Sequence, residues 1–332
     1  MNLSELGDFC LSLGESKFRA RQIYNWVYLK SVKTVDDMTD LSKKFREKLS
    51  QLAIVSDVKV AKKQISSDGT VKFLLEYPDG ERVETVLMRF DNRSNLTACV
   101  SSQVGCAMGC AFCATGKRGF IRNLTEYEII QQVLAIQADT GLKVTNVVFM
   151  GQGEPLLNLK NVLGAMKIFN ENFQIGARRM TVSTCGIVPQ IKELANLELQ
   201  STLAVSLHAP SSEIRQKIMP VEQKYNMDLL KKTLLSYTNK TGRRVTIEYI
   251  LIGGLNDSPE CAKKLAYYLS DLNCNINLIV YNPIAGDSFK RPKKDDIYKF
   301  KYLLEAAGKK VTIRLERGLD IDAACGQLSG KA

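Results

Sequence analysis

The first part of the chain places its apolar side chains at helical spacing. In residues 17–29 an apolar stripe lies opposite basic side chains, which predicts an amphipathic helix. The stripe consists of Phe18, Ile23, Trp26 and Val27. A second helix is predicted for residues 41–52. We therefore expect a small helical accessory domain over residues 1–55, which is either a basic binding surface or a purely structural cap.

Residues 58–89 change to an alternating pattern of apolar and polar positions. The apolar side chains at every second position are Val71, Phe73, Leu75 and Tyr77. Ser-Asp-Gly at 67–69 and Pro-Asp-Gly at 78–80 are turn sequences that separate strands. This pattern predicts a small antiparallel β-meander, to which we assign residues 56–95.

From residue 96 onward, apolar runs typical of strands alternate with helical patterns, which predicts a parallel sheet of βα units. A capping box at Thr125 and Glu128 and the pair Ser258-Pro259 mark two helix starts. The fold class is therefore α/β, and the units resemble a partial (βα)6 barrel, here residues 96–316, followed by a tail over 317–332. The predicted strands are 97–101, 144–150, 180–184, 202–207, 245–251 and 275–280, with another near 311–315.

Composition indicates a folded protein with an anionic partner. Of the 332 residues, 45% are hydrophobic, which is enough for a packed core. No apolar run approaches the ~20 residues that span a bilayer, and the N-terminus is acidic and polar rather than a secretory signal. We expect a cytoplasmic, monomeric protein without membrane association. The formal charge of +11 favours RNA as a partner, and a basic surface that binds nothing is the alternative.

The strongest chemical signal comes from three closely spaced cysteines, Cys106, Cys110 and Cys113. Three thiolates can hold a four-iron cluster and leave one iron open, because complete ligation takes four cysteines. This spacing resembles that of the radical S-adenosylmethionine (SAM) superfamily, whose open iron chelates SAM. Zinc, with Cys99, Cys325 or His208 as fourth ligand, and a disulfide are the alternatives. Zinc sites more often contain two C-x2-C pairs, and nine cysteines without a signal sequence argue against a disulfide framework.

The predicted barrel strands end in small or polar residues, where the loops of such a barrel form a site. Gly153 would let the backbone approach a ligand, and Glu154 is an acceptor for the amino group of SAM. Ser183 and Asn282 follow two other strands. His208 is the only histidine; such a residue is more often structural than a general base, so we assign it to ligand contact.

Two further cysteines complete a resemblance to a known family. Cys99 ends the first barrel strand and Cys325 lies near the C-terminus, and each alone would be an ordinary buried thiol. The stretches that matter are Cys-Val-Ser-Ser-Gln-Val-Gly-Cys at 99–106, Gly-Glu-Pro-Leu at 153–156, Ser-Leu-His-Ala-Pro at 206–210 and Asp-Ile-Asp-Ala-Ala-Cys-Gly-Gln-Leu at 320–328. Together they resemble the RlmN family of dual-specificity adenine C2-methyltransferases, over about residues 18–329.

The resemblance implies a radical mechanism with a [4Fe–4S] cluster and two SAM molecules per turnover. One SAM would methylate Cys325, and the second, cleaved at the cluster, would supply a radical that takes hydrogen from that S-methyl group. The carbon radical would add to C2 of an adenine in 23S rRNA or tRNA. After the adduct loses one electron, Glu84 would accept the C2 proton, and Cys99 would attack the Cys325 sulfur, which frees the RNA and leaves a disulfide. An electron donor such as flavodoxin is implied as a partner.

The same matching implies the SAM contacts Gly153, Glu154, Ser183, Ser206, Leu207, His208 and Asn282. Gln152 stands where many family members carry Met. Glu84 alone could equally be a solvent-facing strand carboxylate. A related C8-methylating resistance enzyme, Cfr, is an alternative, and the Gly-Glu-Pro-Leu stretch favours C2. A zinc-stabilised RNA-binding protein without catalysis is the alternative of another class.

Overall fold

The N-terminal helices pack around a small apolar core of their own. The structure, a computed structural model, describes residues 1, 3–90 and 93–330. Its first helices are α1 (Leu3–Ser12), α2 (Lys17–Tyr24), which continues as a π-helix (Asn25–Leu29), a 3-10 turn (Val35–Asp37) and α3 (Lys43–Leu52). The core between them contains Leu6, Cys10, Ile23, Met38, Phe45 and Leu49. Both predicted helices are present, and the second begins at Lys43 because the Ser42 hydroxyl accepts from Phe45 N at 3.2 Å.

One member of the predicted stripe does not pack inside. Phe18 is 66% exposed, whereas Ile23 is buried and Trp26 and Val27 pack partly against the helical core. Phe18 belongs to the first turn of α2, and the apolar face of that helix is formed by Ala20 and Ile23 instead. The domain boundaries predicted above stay a prediction; residues 2, 91, 92, 331 and 332, which fall within three of those domains, lie outside the described residues.

Four antiparallel strands form the predicted meander. They are β1 (Lys59–Ile65), β2 (Val71–Glu76), β3 (Arg82–Phe90) and β4 (Arg93–Cys99), each paired with the next. The alternating side chains Val71, Phe73, Leu75 and Tyr77 are all buried, as predicted. The opposite face of β2 is buried too, since Lys72 and Leu74 are also inside.

The meander continues into a parallel sheet through β4, which pairs antiparallel with β3 and parallel with the next barrel strand. After the two-stranded sheet of β5 (Gln103–Gly105) and β6 (Phe120–Asn123), the barrel strands are β7 (Asn146–Phe149), β8 (Met180–Thr184), β9 (Thr202–Ser206), β10 (Val245–Leu251), β11 (Cys274–Val280) and β12 (Lys310–Ile313). They follow β4 in chain order, all parallel. Counted from β4, the first six parallel strands confirm the predicted partial barrel, and β12 is a seventh at the edge of the sheet.

Helices connect the parallel strands, as the alternation predicted. They are α4 (Ala114–Arg118), α5 (Glu126–Thr140), α6 (Leu159–Glu171), α7 (Val188–Leu194), α8 (Ser212–Ile218), α9 (Met227–Thr241), α10 (Pro259–Tyr268) and α11 (Lys294–Ala306), with 3-10 turns at Pro155–Asn158, Ala177–Arg179, Pro220–Gln223 and Leu319–Ile321. The capping box at Thr125 is present, and Ser258 caps α10 with Pro259 in the first turn. Among the described residues, no helix combines the length and apolarity needed to cross a membrane.

Candidate active site

The three closely spaced cysteines lie on the loop between β5 and β6. Cys106 directly follows β5 and Cys113 directly precedes α4, so regular structure fixes both ends of the loop. Cys113 N donates to Cys110 O at 3.2 Å. All three cysteines line one pocket at the carboxyl ends of the strands, which we call the barrel pocket. Predicted contact residues that also line it are Gly153, Glu154, Ser183, Ser206 and His208.

These thiols are better suited to binding a metal cluster than to reacting as free thiolates. Burial, with the neighbouring Cys113, raises the pKa of Cys106 to about 12 and raises the pKa of Cys110 as well. Buried thiols of this kind ionise when a metal binds them. Within the part of the chain that the structure describes, no three Cys, His, Asp or Glu side chains form a single-ion site. A cluster, in which each thiolate binds a different iron, does not require the three sulfurs to converge on one ion, as a zinc site does.

Glu154 anchors the loop that follows β7. Its Oε2 accepts from Cys185 N at 2.7 Å, and its Oε1 accepts from Leu156 N at 3.0 Å. Burial raises the pKa of Glu154, although these hydrogen bonds oppose the rise. The neighbouring Gly153 has φ +97°, and a Cβ there would lie 2.5 Å from the Cβ of Gln103, so only glycine fits. The loop therefore presents a buried acceptor beside open backbone.

His208 holds the end of β9 in an unusual backbone conformation. Its φ is +60°, a left-handed value that costs a non-glycine residue energy and often marks functional sites. Its Nδ1 accepts from Ile250 N at 3.1 Å, and its carbonyl accepts from Asn256 Nδ2 at 2.8 Å. Burial, and then the charge of Arg215, lower the pKa of His208 to about 3. The ring is therefore neutral and, with Nδ1 occupied as an acceptor, its remaining N–H is at Nε2.

The two remaining cysteines meet in a second pocket, which we call the tail pocket. Cys99, at the end of β4, and Cys325, in the C-terminal segment, both line it, together with Val86, Met150, Asn282 and Arg314. Cys325 also lines the barrel pocket. The structure therefore places Cys325 between the three-cysteine loop and Cys99. Leu207 is buried, and it is not among the described residues that line either pocket.

Burial also governs the reactivity of Cys99. It is 8% exposed, and burial together with the neighbouring Cys325 raises its pKa to about 12. The backbone around Cys325 is held on both sides, because Asn282 Nδ2 donates to Cys325 O at 3.4 Å and Ala114 N donates to Gly326 O at 2.7 Å. The second hydrogen bond joins the tail to the helix that follows the three-cysteine loop.

Glu84 is neither solvent-facing nor open to a substrate in this conformation. It is 2% exposed, and Lys72 Nζ lies 2.9 Å from its Oε1. Its Oε2 accepts from Ser329 N at 2.7 Å and from Gly330 N at 2.8 Å. Gln152, the family departure, is buried here too, and its Oε1 accepts from Glu84 N at 3.2 Å. The described lining of both pockets does not include Glu84.

Three residues of these pockets were not predicted from the sequence. Arg314 lines both pockets, donates to Met150 Sδ at 3.1 Å, and has its pKa raised by the nearby Cys325. Glu248 is buried in the barrel pocket, and its Oε2 has no hydrogen-bond partner among the described residues. Cys185 is a buried thiol that lines the same pocket. Arg314 and Glu248 could have been noticed in the sequence, because each is a charged residue inside or just after an apolar strand.

Comparison with known proteins gives consistent results along the whole chain. Residues 1–55 match the family model described as the ribosomal RNA large subunit methyltransferase N-terminal domain, and residues 100–265 match the radical SAM superfamily. A probable dual-specificity RNA methyltransferase RlmN from Alkaliphilus oremlandii is 46% identical, over 100% of this chain and 96% of its own length. The corresponding protein of Bacillus subtilis is 45% identical over 99% of this chain and 92% of its own length.

A solved structure has the same fold throughout. The crystal structure of a radical SAM methyltransferase from Sphaerobacter thermophilus superposes with a TM-score of 0.95 and 42% sequence identity. The match covers 100% of this chain and 98% of that one. The similarity therefore extends from the N-terminal helices through the barrel to the tail.

Proposed function

The chain belongs to the RlmN family of radical SAM RNA methyltransferases, and we propose that it methylates C2 of adenine in 23S rRNA and tRNA through S-methylated Cys325. The observation that supports this most directly is the position of Cys325. It lines the barrel pocket with the three-cysteine loop and the tail pocket with Cys99. A carrier thiol must reach both the source of the methyl group and the thiol that releases the product.

The cofactors are a [4Fe–4S] cluster and SAM, and both fit residues of the barrel pocket. Cys106, Cys110 and Cys113 would hold the cluster, which leaves one iron for SAM. Together the bound cofactors supply one-electron cleavage of SAM. Glu248 Oε2, a buried acceptor with no partner among the described residues, is the kind of group that a bound polar ligand would satisfy. The proposed SAM contacts along this pocket are Gly153, Glu154, Ser183, Ser206 and His208. Asn282, which lines the tail pocket, and Leu207, which lies between Ser206 and His208 in the chain, complete the proposed set.

The chain's own thiols would carry the methyl group and release the product. Cys325 would bear the methyl, and Cys99 would attack its sulfur. Attack requires the Cys99 thiolate, which burial opposes. Arg314 lies in the same pocket, and its positive charge favours ionisation of Cys99. We infer that this guanidinium offsets part of the burial cost at the moment of attack.

Glu84 would accept the C2 proton only after the tail has moved. Both of its oxygens are engaged by Lys72 and by the amides of Ser329 and Gly330. A general base needs a free oxygen within hydrogen-bond reach of the proton it removes. We therefore infer that RNA binding displaces residues 328–330, which frees one oxygen of Glu84.

We further propose the setting in which the enzyme works. The basic helical domain, residues 1–55, would bind RNA, and residues 56–95, 96–316 and 317–332 would serve as meander, barrel and methyl-carrying tail. The target adenine would be read in a splayed-out form, because its C2 is inaccessible within a stack. An electron donor such as flavodoxin would reduce the cluster, and we propose a cytoplasmic monomer.

Anaerobic incubation of the Cys99→Ala variant with SAM, a reductant and RNA tests the proposal. We expect a covalent protein–RNA adduct through Cys325, since the releasing thiol is absent. The Cys274→Ala variant, changed in β11 outside the described lining of both pockets, should turn over without an adduct. Mass spectrometry of wild-type product should place the methyl on C2; a methyl on C8 would assign the chain to the other activity. Absence of both adduct and methylated product would refute the proposal.

A further inference from the structure

Arg215 is a fully buried arginine beneath the barrel pocket, and each of its five N–H groups has an acceptor. It lies on α8 and has 0% exposure. An isolated buried charge is very costly, so a guanidinium in this position needs a complete set of partners. Its acceptors are Leu207 O (3.2 Å, from Nε), Glu222 Oε2 (2.6 Å) and Tyr225 O (3.3 Å, both from Nη1), and Cys185 O (2.6 Å) and Ser206 O (3.4 Å, both from Nη2).

Three of these acceptors are backbone carbonyls at the carboxyl ends of neighbouring strands. Cys185 follows β8, and Ser206 and Leu207 end and follow β9. Residue Cys185 is held from both sides, because Arg215 binds its carbonyl while Glu154 binds its N–H at 2.7 Å. The same guanidinium therefore fixes two loops that present side chains to the barrel pocket.

The helix that carries Arg215 also contacts the three-cysteine loop. Ile218 O, at the end of α8, accepts from Ala111 N at 2.9 Å, between Cys110 and Cys113. The opposite side of Arg215 is fixed by Glu222, whose second oxygen accepts from Met227 N at 3.0 Å. The segment from α8 to the start of α9 thus connects the cysteine loop to both strand ends.

We propose that Arg215 is a positioning residue for SAM, which holds the loops after β8 and β9 in the shape that SAM binding requires and ties that shape to the cluster loop. This inference rests on the proposed use of SAM. The planar fork of arginine reaches several carbonyls at fixed angles, whereas lysine has a single flexible ammonium and cannot replace it. The left-handed backbone of His208, directly after two of these carbonyls, is a conformation that needs such support.

The positioning role of Arg215 can be tested separately from its contribution to the stability of the fold. A buried ion pair often contributes no more to folding than an apolar pair of similar volume. The double variant Arg215→Met/Glu222→Leu leaves no unpaired buried ion, so it should fold and take up the same iron, with a urea midpoint lowered only by the carbonyls and the Met227 N–H that lose a partner. Without the Arg215 guanidinium, the loops after β8 and β9 should relax. The affinity of the variant for SAM should therefore fall by about tenfold or more, since small misplacements in a site have large effects.

SAM affinity is measured by anaerobic calorimetry on cluster-loaded protein, together with the change that SAM causes in the EPR spectrum of the reduced cluster. Arg215→Lys should reduce the affinity to a similar extent. Glu222→Gln keeps its volume and an acceptor for Met227 N, so it should fold and show an intermediate reduction. Arg122→Met is the control, since that arginine pairs with Asp79 and Glu128 outside the described lining of the barrel pocket, and it should bind SAM normally.

The possible results separate this inference from the proposed function. If the wild type binds no SAM, the proposed function fails. If the wild type binds SAM and any folded, iron-loaded Arg215 or Glu222 variant binds it within about twofold of the wild type, the positioning role is wrong. A loss of SAM affinity in a variant that remains folded and iron-loaded supports it.

Discussion

Three buried glutamates of this molecule differ in how their oxygens are used. Glu154 satisfies both oxygens with backbone amides, and Glu84 uses a lysine and two amides. Glu248 accepts from Asn277 Nδ2 at 3.0 Å with one oxygen, while the other has no partner among the described residues. Buried acceptors are normally paired. Glu248 is therefore the one of these three with an oxygen that no described residue engages, and Glu84 cannot accept a proton until the tail moves.

Separating the structural role of Glu84 from its catalytic role requires removing its partner as well. Glu84→Gln leaves Lys72 buried without an opposing charge, so we expect a loss of about 3 kcal/mol in the free energy of unfolding. The double variant Lys72→Met/Glu84→Met should recover most of this stability, because a packed apolar pair replaces the ion pair. Urea unfolding followed by circular dichroism measures both effects.

The double variant then tests proton acceptance in a stable background. If Glu84 accepts the C2 proton, this variant should form the RNA adduct and fail to release methylated product. Glu76→Gln is the matched control on β2, where a half-buried pair with Arg82 Nη2 at 2.6 Å should contribute less than about 1 kcal/mol. Methylation by the double variant at the wild-type rate would rule out the catalytic role.

At the scale of elements, the C-terminal segment is fastened to the rest of the fold by hydrogen bonds on both sides of Cys325. Asp320 accepts from Ser66 Oγ at 2.5 Å and from Ser67 N at 3.0 Å, in the turn between β1 and β2. Farther along, Thr115 Oγ1 on α4 donates to Leu328 O at 2.6 Å. Cys325 lies between these two attachments. Its position between the pockets therefore depends on hydrogen bonds made by the segment on either side.

The attachment at Asp320 should weaken in acid. Hydrogen bonds from Ser66 and Ser67 lower the pKa of Asp320 below its ordinary value of 3.8. A lowered folded-state pKa contributes stability that is present above pH 3.8 and is lost as the pH falls through the lower value. We expect amide hydrogen exchange in residues 318–324 to be constant from neutral pH to about pH 4, after correction for intrinsic rates, and to increase below it.

A neutral side chain at position 320 should reduce this pH dependence. Asp320→Asn should raise exchange of the same segment at neutral pH and lower its acid sensitivity, and Asp68, whose pKa is also lowered and which accepts from Gly318 N at 2.9 Å, accounts for the remainder. Asp271→Asn is the matched control, because Asp271 also has its pKa lowered, by Lys231, but lies far along the chain from this turn. Exchange in β8 serves as the internal reference for global unfolding. Equal acid sensitivity in the Asp320→Asn protein would show that other groups hold the segment.

The elements could be predicted from the sequence where local signals decide them. The capping residues Thr125 and Ser258 mark helix starts correctly, and the strand predicted over 180–184 matches β8 residue by residue. The close cysteine spacing likewise needs no tertiary information. The pairing of Lys72 with Glu84 could not be predicted, because the register of β2 against β3 and the docking of the tail create it. Arg215 reads as an ordinary surface arginine until α8 is placed beneath the strand ends.

At the scale of the whole molecule, positive charge is placed where local structure does not favour it. The chain carries +11 overall, and α3 begins with Lys43 and Lys44, both exposed. Cations at a helix N-terminus oppose the helix dipole and cost stability. We propose that this pair serves an anionic partner, and RNA is the partner that the family membership implies.

Removing this pair should weaken RNA binding without weakening the fold. We expect Lys43→Gln/Lys44→Gln to unfold at an equal or slightly higher urea concentration, to bind SAM normally, and to bind a transcript of the target 23S rRNA segment less tightly. Each phosphate that is no longer neutralised lowers the dependence of log K on log salt by about 0.7 to 0.9, so the slope should fall by about 1 to 2. The matched control Lys263→Gln/Lys264→Gln removes two exposed charges from α10 and should leave the slope nearly unchanged. Equal reductions in both variants would mean that the net charge of the whole surface, rather than the helical domain, attracts RNA.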